Sequence, residues 1–504
     1  MHKPADNIRY LLAEKAFSEI QIYEQRATVG GIWNYVPCPD SRPKDQAIPQ
    51  TNPFAGLDEP IWEQSNAKST LSNQDREQAQ FMSPLYDRLE TNIPRGLMGF
   101  SDLPWPEDSQ LFPKHETVQE YIEQYSQDVR HLVKFETQVV DVRLEASQKW
   151  TIATRPVTQD ATTQPEERQF DAVIVANGHF NVPYLPKVPG IEAWSSAYPG
   201  LITHSMFYRL PEHYRNKKVV VVGNSASGVD IAGQISPFCH SPLIVSSRSE
   251  SYLQTESPPG QLDKPPIAEF IPEDRTVVFE DGSREAQVDA VLYCTGYFYS
   301  FPFMSSLDRP LTTTGERVEN LYQHLFYRPN PTLALPALNS KVIPFPFAEA
   351  QAAVIARVFS GRLALPNNSD MKQWEDEALK EAGSGRSFHV LKFPKDGDYI
   401  DMMHDWAMSA DGEGRHPSGA EGYVRRRSVV DGSLASAEKG SETRGKEPPY
   451  WGEKEYWTRE RFPAIKKAFQ GYGEERVQKK TLDDVGFNFE AWKEEKDREG
   501  KRLL

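Results

Sequence analysis

The run Val219-Val220-Val221-Val222 leads directly into Gly223-Asn224-Ser225-Ala226-Ser227-Gly228 and then into an apolar stretch from Val229 to Ile235, and this constrains the chain more than any other feature. Four consecutive β-branched residues suit a strand buried on both faces, as in a parallel sheet. A strand that runs into a glycine-bracketed turn and a helix presents free backbone N–H groups and the positive helix end to a pyrophosphate, and glycine lets the phosphate come close. Ser225 stands where a middle glycine often sits in such a loop. The same spacing also suits a tight strand–helix turn that holds no ligand.

Further runs support a doubly wound α/β reading. Ala172 to Ala176 is continuously apolar and ends in Asn177-Gly178, and Val288 to Tyr293 ends shortly before Thr295-Gly296. A dinucleotide site places its ribose-reading residue about 20 positions after the glycine turn. There the chain reads Leu243-Ile244-Val245-Ser246-Ser247-Arg248. An arginine beside hydroxyls suits a 2′-phosphate and favours NADPH over NADH, the plainer reading being a solvated arginine at a strand end. Glu24 is the acidic counterpart, closing the alternating run Ile20 to Glu24 after a helix-like segment from Asn7 to Lys15, with Gly30-Gly31 following. Two such units imply FAD and NADPH. Periodic apolar residues predict a helix over 117–134, strands over 138–144, 150–153 and 170–176, and an extended region with short helices over 36–80.

Composition bounds the partners. With 57 Lys+Arg against 72 Asp+Glu the net charge is −15, which argues against nucleic acid and anionic lipid as ligands. The 504 residues allow two to four domains, and three cysteines make neither a disulfide framework nor a metal site, so no metal is expected. No signal-like N-terminus or membrane-length apolar run occurs, so a cytoplasmic location and no membrane span are expected. Beyond about Pro366 the chain becomes more charged yet keeps Trp374, Trp406, Trp451, Trp457 and Trp492, which predicts a helical extension with a flexible linker over 432–448.

The segment Tyr198-Pro199-Gly200-Leu201-Ile202-Thr203-His204-Ser205-Met206-Phe207-Tyr208 resembles the identifying sequence of flavin-containing monooxygenases, with Tyr198 for the leading Phe. Family-like segments at 24–35, 86–102 and 345–366, and the ANG and CTGY strand ends, extend the resemblance over about residues 8 to 366. Related Baeyer–Villiger enzymes usually carry Trp-Pro or Trp-Asp where this chain has Tyr208-Arg209, which favours heteroatom oxygenation. The resemblance implies an α/β fold with two Rossmann-like domains. The FAD domain would span 1–180 and 297–366, with an NADPH domain inserted at 181–296 and a charged extension at 367–504.

The implied chemistry is reduction of FAD by NADPH, formation of a flavin C4a-hydroperoxide with O2, and oxygen transfer to a small nitrogen or sulfur nucleophile. Asn92 matches the family asparagine near the reactive flavin edge, and an amide donates there without titrating; a turn asparagine is the alternative. Thr91, Glu24, Gly30, Gly31 and Trp33 are the flavin-side candidates, Trp33 being equally readable as core. Gly200, His204, Tyr208, Gly223, Asn224, Ser225, Ser227, Gly228, Ser247, Arg248, Thr295 and Gly296 are the nucleotide-side candidates, His204 also reading as structural. A homo-oligomer is compatible with all of this.

The pattern departs at its front. The family's G-x-G-x-x-G loop should end about 18 residues before Glu24, near Asp6, yet no glycine precedes Gly30. The expectation is a chain without the first strand and the FAD glycine loop, either because the true start lies upstream or because the chain is truncated. The alternatives are accordingly a flavin-deficient NADPH-binding remnant, or an NADPH oxidase or flavin reductase that releases peroxide.

Overall fold

A computed structural model of the chain describes residues 3–37, 48–49, 51–62, 79–158, 163–251, 253, 257–411 and 445–502. Helix α1 (Lys3–Glu14) leads to the short strand Ile22–Tyr23, which pairs in parallel with Val133–Lys134. Helix α2 (His115–Ser126) packs Val118, Tyr121, Ile122 and Tyr125 against Ile8 of α1 and Phe345. The helix expected over 117–134 thus ends early. A turn of 3-10 helix over Arg130–Leu132 follows, and β-branched Val133 joins the ladder with Ile22, so apolar spacing at 129 and 132 continued across a change of structure.

Strands Thr137–Leu144, Trp150–Pro156 and Glu166–Phe170 form an antiparallel sheet. The run expected as one strand over 170–176 is divided: Phe170 closes that sheet, while Val173–Ile174 pairs in parallel with Leu333–Ala334. In the described part of 36–80 the chain forms an antiparallel pair, Ile61–Trp62 with Ala79–Gln80, where short helices were expected; 38–47, 50 and 63–78 lie outside the described residues.

The valine run sits in the middle of a five-stranded parallel sheet. The order is Ile202–His204, Ala290–Tyr293, Val219–Val222, Leu243–Ser246, Gln261–Lys264. Alternate residues serve opposite faces: Val220 and Val222 pack with Ile191 and Trp194 of helix α3 (Ile191–Ala197), Val219 and Val221 with Ile231, Ala232 and Ile235 of helix α4 (Ala226–Ile235). Each fully buried valine contributes roughly 1.5–3 kcal/mol relative to exposure, so a polar residue in the run would cost a comparable amount. Val222 pairs with both Tyr293 and Ser246, so Gly223, Thr295 and Ser247 emerge near one another at the carboxyl edge, where open parallel sheets bind ligands.

Helix α5 (Pro344–Phe359) is buried over nearly its whole length and packs on α1. Helices α6 (Asn368–Ala382), α7 (Lys395–Met408), α8 (Glu453–Gly471) and α9 (Phe489–Arg502) make the charged region helical. It is docked: Ile400, Met403, Trp406 and Trp451 share a core cluster with Ala353, Val354 and Ile355 of α5. Of the linker expected over 432–448, residues 432–444 lie outside the described residues. Residues 445–448 are a strap: Lys446 Nζ reaches buried Glu349 at 2.9 Å, and Tyr10 donates to the Glu447 carbonyl at 3.2 Å. Among the described residues no helix is long and apolar enough to cross a membrane.

Candidate cofactor and active site

The turn after the valine strand closes on itself. Gly223 has φ +105°, and a Cβ there would stand 2.7 Å from the Cys294 carbonyl oxygen. A Cβ on Gly228 would stand 2.0 Å from the Gly223 oxygen. Glycine is therefore required at both positions, and the turn brings α4 against the strand end. Ser225 is the exposed N-cap and makes no side-chain cap bond, and Ser227 lies in the first turn, where helical N–H groups have no intrahelical partner. Asn224 Nδ2 donates to Ser247 Oγ at 3.1 Å and to the Ser249 carbonyl at 2.6 Å, joining the turn to the next strand end.

A cavity of about 440 Å3 opens between these elements, lined by Asn224, Gly228, Ser247, Arg248, Asp263 and Lys264. Arg248 is exposed at its mouth, whereas Lys264 donates to Ser283 Oγ at 3.0 Å. Lys264 escapes sequence reading because only the sheet order places the Gln261–Lys264 strand beside Leu243–Ser246. The lining carries Glu250 and Asp263 as well as Arg248 and Lys264, so its charges balance; the glycine cradle, the open α4 terminus and those two cations fit a dinucleotide bearing an extra phosphate.

The motif residues brace this edge. His204 Nε2 donates to the Gly296 carbonyl at 3.0 Å, and its Nδ1 accepts from the Met206 N–H at 3.1 Å. The ring is thus a neutral Nε2–H tautomer, and burial pushes its pKa down to about 3. Arg386, a residue unmarked in the sequence, donates to the Thr295 carbonyl at 2.8 Å and lies 3.8 Å over the Tyr184 ring. Gly296 fits under it because a Cβ would meet the guanidinium at 2.8 Å. Tyr208 is fully buried and donates to Gln234 of α4 at 3.1 Å. Gly200 (φ +83°) supplies only a turn, with nothing within 4 Å of an added Cβ. Burial also pushes the Cys294 thiol up to about 12, so it is inert core.

These histidines set an acid limit. His204 and His324 are both held at about 3 by burial, and His389 is held well below its ordinary value. Unfolded imidazoles titrate near ~6.5, so below that pH the unfolded chain binds protons that the folded chain refuses. Stability is complete above ~6.5 and falls as pH drops toward ~3, by up to about 1.4 kcal/mol per pH unit for each such histidine. The unfolding midpoint should drop measurably between pH 7 and pH 5, with a shallower slope in a folded His204→Gln variant. Equal slopes in the two proteins would contradict this.

On the flavin side, Glu24 ends its strand with Oε1 accepting from the Arg26 N–H at 2.9 Å. Gly30 (φ +104°) and Gly31 (φ +54°) form a turn against α2, where a Cβ on Gly30 would strike Gln119 Oε1 at 2.1 Å. Trp33 is half-buried against the α2 cluster, as a core tryptophan would be. Thr91 is held on all sides: its N–H donates to Pro113 O at 2.9 Å, its hydroxyl to Ile93 O at 2.9 Å, and its carbonyl accepts from Lys466 at 2.8 Å. The adjoining Asn92 is half-buried, and its amide hydrogen-bonds no described residue. Tyr86 donates to Asp230 of α4 at 2.5 Å, which ties this loop to the nucleotide side. Glu24 and the glycine pair fit the adenosine end of a flavin nucleotide.

The parallel sheet, its glycine cradle and the second strand–acid unit define an oxidoreductase built on two dinucleotide-binding domains. The family model described as Flavin-binding monooxygenase-like matches residues 55–257 and 262–414. The flavin-containing monooxygenase FMO GS-OX3 of Arabidopsis thaliana is 31% identical over 366 residues, 70% of this chain and 71% of its own. Flavin-containing monooxygenase ustF2 of Aspergillus flavus is 28% identical over 435 residues, 77% of this chain and 86% of its own. Among solved structures, S-allyl-L-cysteine S-oxygenase from Allium sativum superposes with a TM-score of 0.67 at 26% identity, covering 96% of this chain and 94% of that one. The chain belongs to the flavin-binding monooxygenase-like family. It is a flavin-dependent monooxygenase, with FAD and NADPH as cofactors.

Proposed function

We propose that this enzyme transfers one oxygen atom of O2 to the nitrogen or sulfur of a small soft nucleophile. The observation that carries the reading is the Asn92 amide, without a hydrogen-bond partner among the described residues, on a loop whose preceding residue is fully engaged. Such an amide donates a hydrogen bond to an oxygen species without exchanging a proton. When bound, FAD would supply the redox chemistry, with NADPH as the hydride source, one atom of O2 going to the substrate and the other leaving as water.

The chain's own residues bind and orient. The Gly223–Gly228 turn and the α4 terminus hold the NADPH pyrophosphate, while Ser247, Arg248 and Lys264 hold the 2′-phosphate. Thr295 and Gly296, braced by His204 and Arg386, shape the crevice between the nucleotides. Glu24 takes the FAD ribose hydroxyls, with Gly30, Gly31 and Trp33 beside it. The likeness to an S-oxygenase makes a thioether the first substrate to try.

The test is stoichiometry in the full chain supplied with FAD, NADPH and a small thioether or tertiary amine. Oxygenated product should account for most of the NADPH consumed, and NADH should serve about tenfold less well, the loss of one charge-assisted phosphate contact. Peroxide without product would make the protein an NADPH oxidase. Failure to bind flavin would leave it a nucleotide-binding remnant.

A further inference from the structure

The Thr91 carbonyl is held by a lysine from far along the chain. Lys466 lies on α8, is 9% exposed, and donates to that carbonyl at 2.8 Å. Its ammonium stands 3.9 Å from Glu90 Oε2, 4.5 Å from the Phe112 ring centre and 5.6 Å from that of Phe469. The Asp230 carboxylate of α4 attracts it and the Arg476 guanidinium repels it. We propose that Lys466 is a positioning residue for the Thr91–Asn92 loop, setting the Asn92 amide against the flavin edge from the C-terminal region.

A buried ammonium is costly unless paired, and apolar packing between Phe112 and Phe469 needs no charge. Neutralising Glu90 does not require it either. Arg476 Nε already reaches the two Glu90 oxygens at 3.1 and 3.2 Å, and Gln110 donates to it at 3.1 Å. What Lys466 adds is the bond to the Thr91 carbonyl, which completes the engagement of that residue's polar groups. The neighbouring Asp230 is also the acceptor for Tyr86 and for Gln234, and Gln234 in turn accepts from Tyr208. One lysine therefore lies where the Asn92 loop, the nucleotide-binding helix and the C-terminal region meet. The assignment of Asn92 rests on the proposed oxygen transfer, whereas the clamp on Thr91 does not.

Hydrogen exchange on the full chain separates the two. In K466M, amides over 90–98 should exchange about tenfold faster, as local opening loses one bond to a charged donor. Exchange in the rest of α8 should be unchanged, and K466R should restore slow exchange at 90–98. With a thioether and NADPH, K466M should release a larger share of peroxide at an unchanged KM for NADPH. Should K466M not fold, K466Q, neutral and still polar, carries the same comparison. Unchanged exchange over 90–98 in the neutral variant overturns the proposal. Faster exchange with an unchanged peroxide share confines Lys466 to a structural clamp and likewise overturns its positioning role. An absence of oxygenated product from the wild-type chain would fail the oxygen-transfer reading and leave the exchange result standing.

Discussion

Gly228→Ala should abolish NADPH-driven turnover and weaken NADP+ binding by a factor of about 100, roughly 2.7 kcal/mol. The new Cβ would lie 2.0 Å from the Gly223 carbonyl oxygen and 2.7 Å from its carbon, both backbone atoms of the turn itself. Neither can swing aside as a flexible side chain would. Relief requires α4 to lift from the valine strand, which widens the phosphate cradle and disturbs the Ile231 and Ile235 packing. Overpacking of this kind costs about 1–3 kcal/mol of stability as well. Gly200→Ala is the matched control, because Gly200 has φ +83° but nothing within 4 Å of its added Cβ, so only local backbone strain of about 1–2 kcal/mol is expected. Calorimetric titration with NADP+ reads the difference, and equal affinities for G228A and wild type would refute the cradle.

Arg209→Met should be the most destabilising side-chain substitution considered, at about 3–5 kcal/mol. Arg209 is 2% exposed and donates to the carbonyls of Val36, Ser83, Met206 and Tyr208 at 2.8, 3.0, 2.9 and 2.7 Å. Methionine fills much of the volume but leaves four buried acceptors without their donor. The partners come from two sides, Val36 and Ser83 from the flavin side and Met206 and Tyr208 from the sheet edge, so the guanidinium staples one to the other. Lysine keeps the charge but lacks the planar fork, and R209K should recover only part of the loss. Denaturant unfolding measures both; a loss under about 1 kcal/mol for R209M would show that the neighbouring carbonyls find other donors.

Arg209 shows where sequence reading reached and where it stopped. Its position after Tyr208 was visible as a departure from the Baeyer–Villiger pattern, but its role as a four-carbonyl staple depends on residues 83 and 36, more than a hundred positions away. The Gly223–Gly228 turn was legible because strand, turn and helix are contiguous and each leaves a local mark in β-branching, glycine and apolar spacing. Arg248 was found by counting from that turn. Lys264, Arg386 and Lys466 were not, since their places are set by sheet order and by docking of the helical C-terminal region. That region's helicity followed from composition, whereas its charge concealed the burial of Trp406 and Trp451 against α5. The helix expected through 134 failed at Ser126 because strand pairing with Ile22–Tyr23 claims Val133 and Lys134.

The central claim, oxygen transfer to a soft heteroatom, is tested most directly by the fate of isotopically heavy O2. The full chain, supplied with FAD and NADPH in ordinary water, should convert a small thioether to a sulfoxide that carries one heavy oxygen atom per molecule. With catalase present to remove leaked peroxide, a sulfoxide without the label, or NADPH consumption without any sulfoxide, would contradict it.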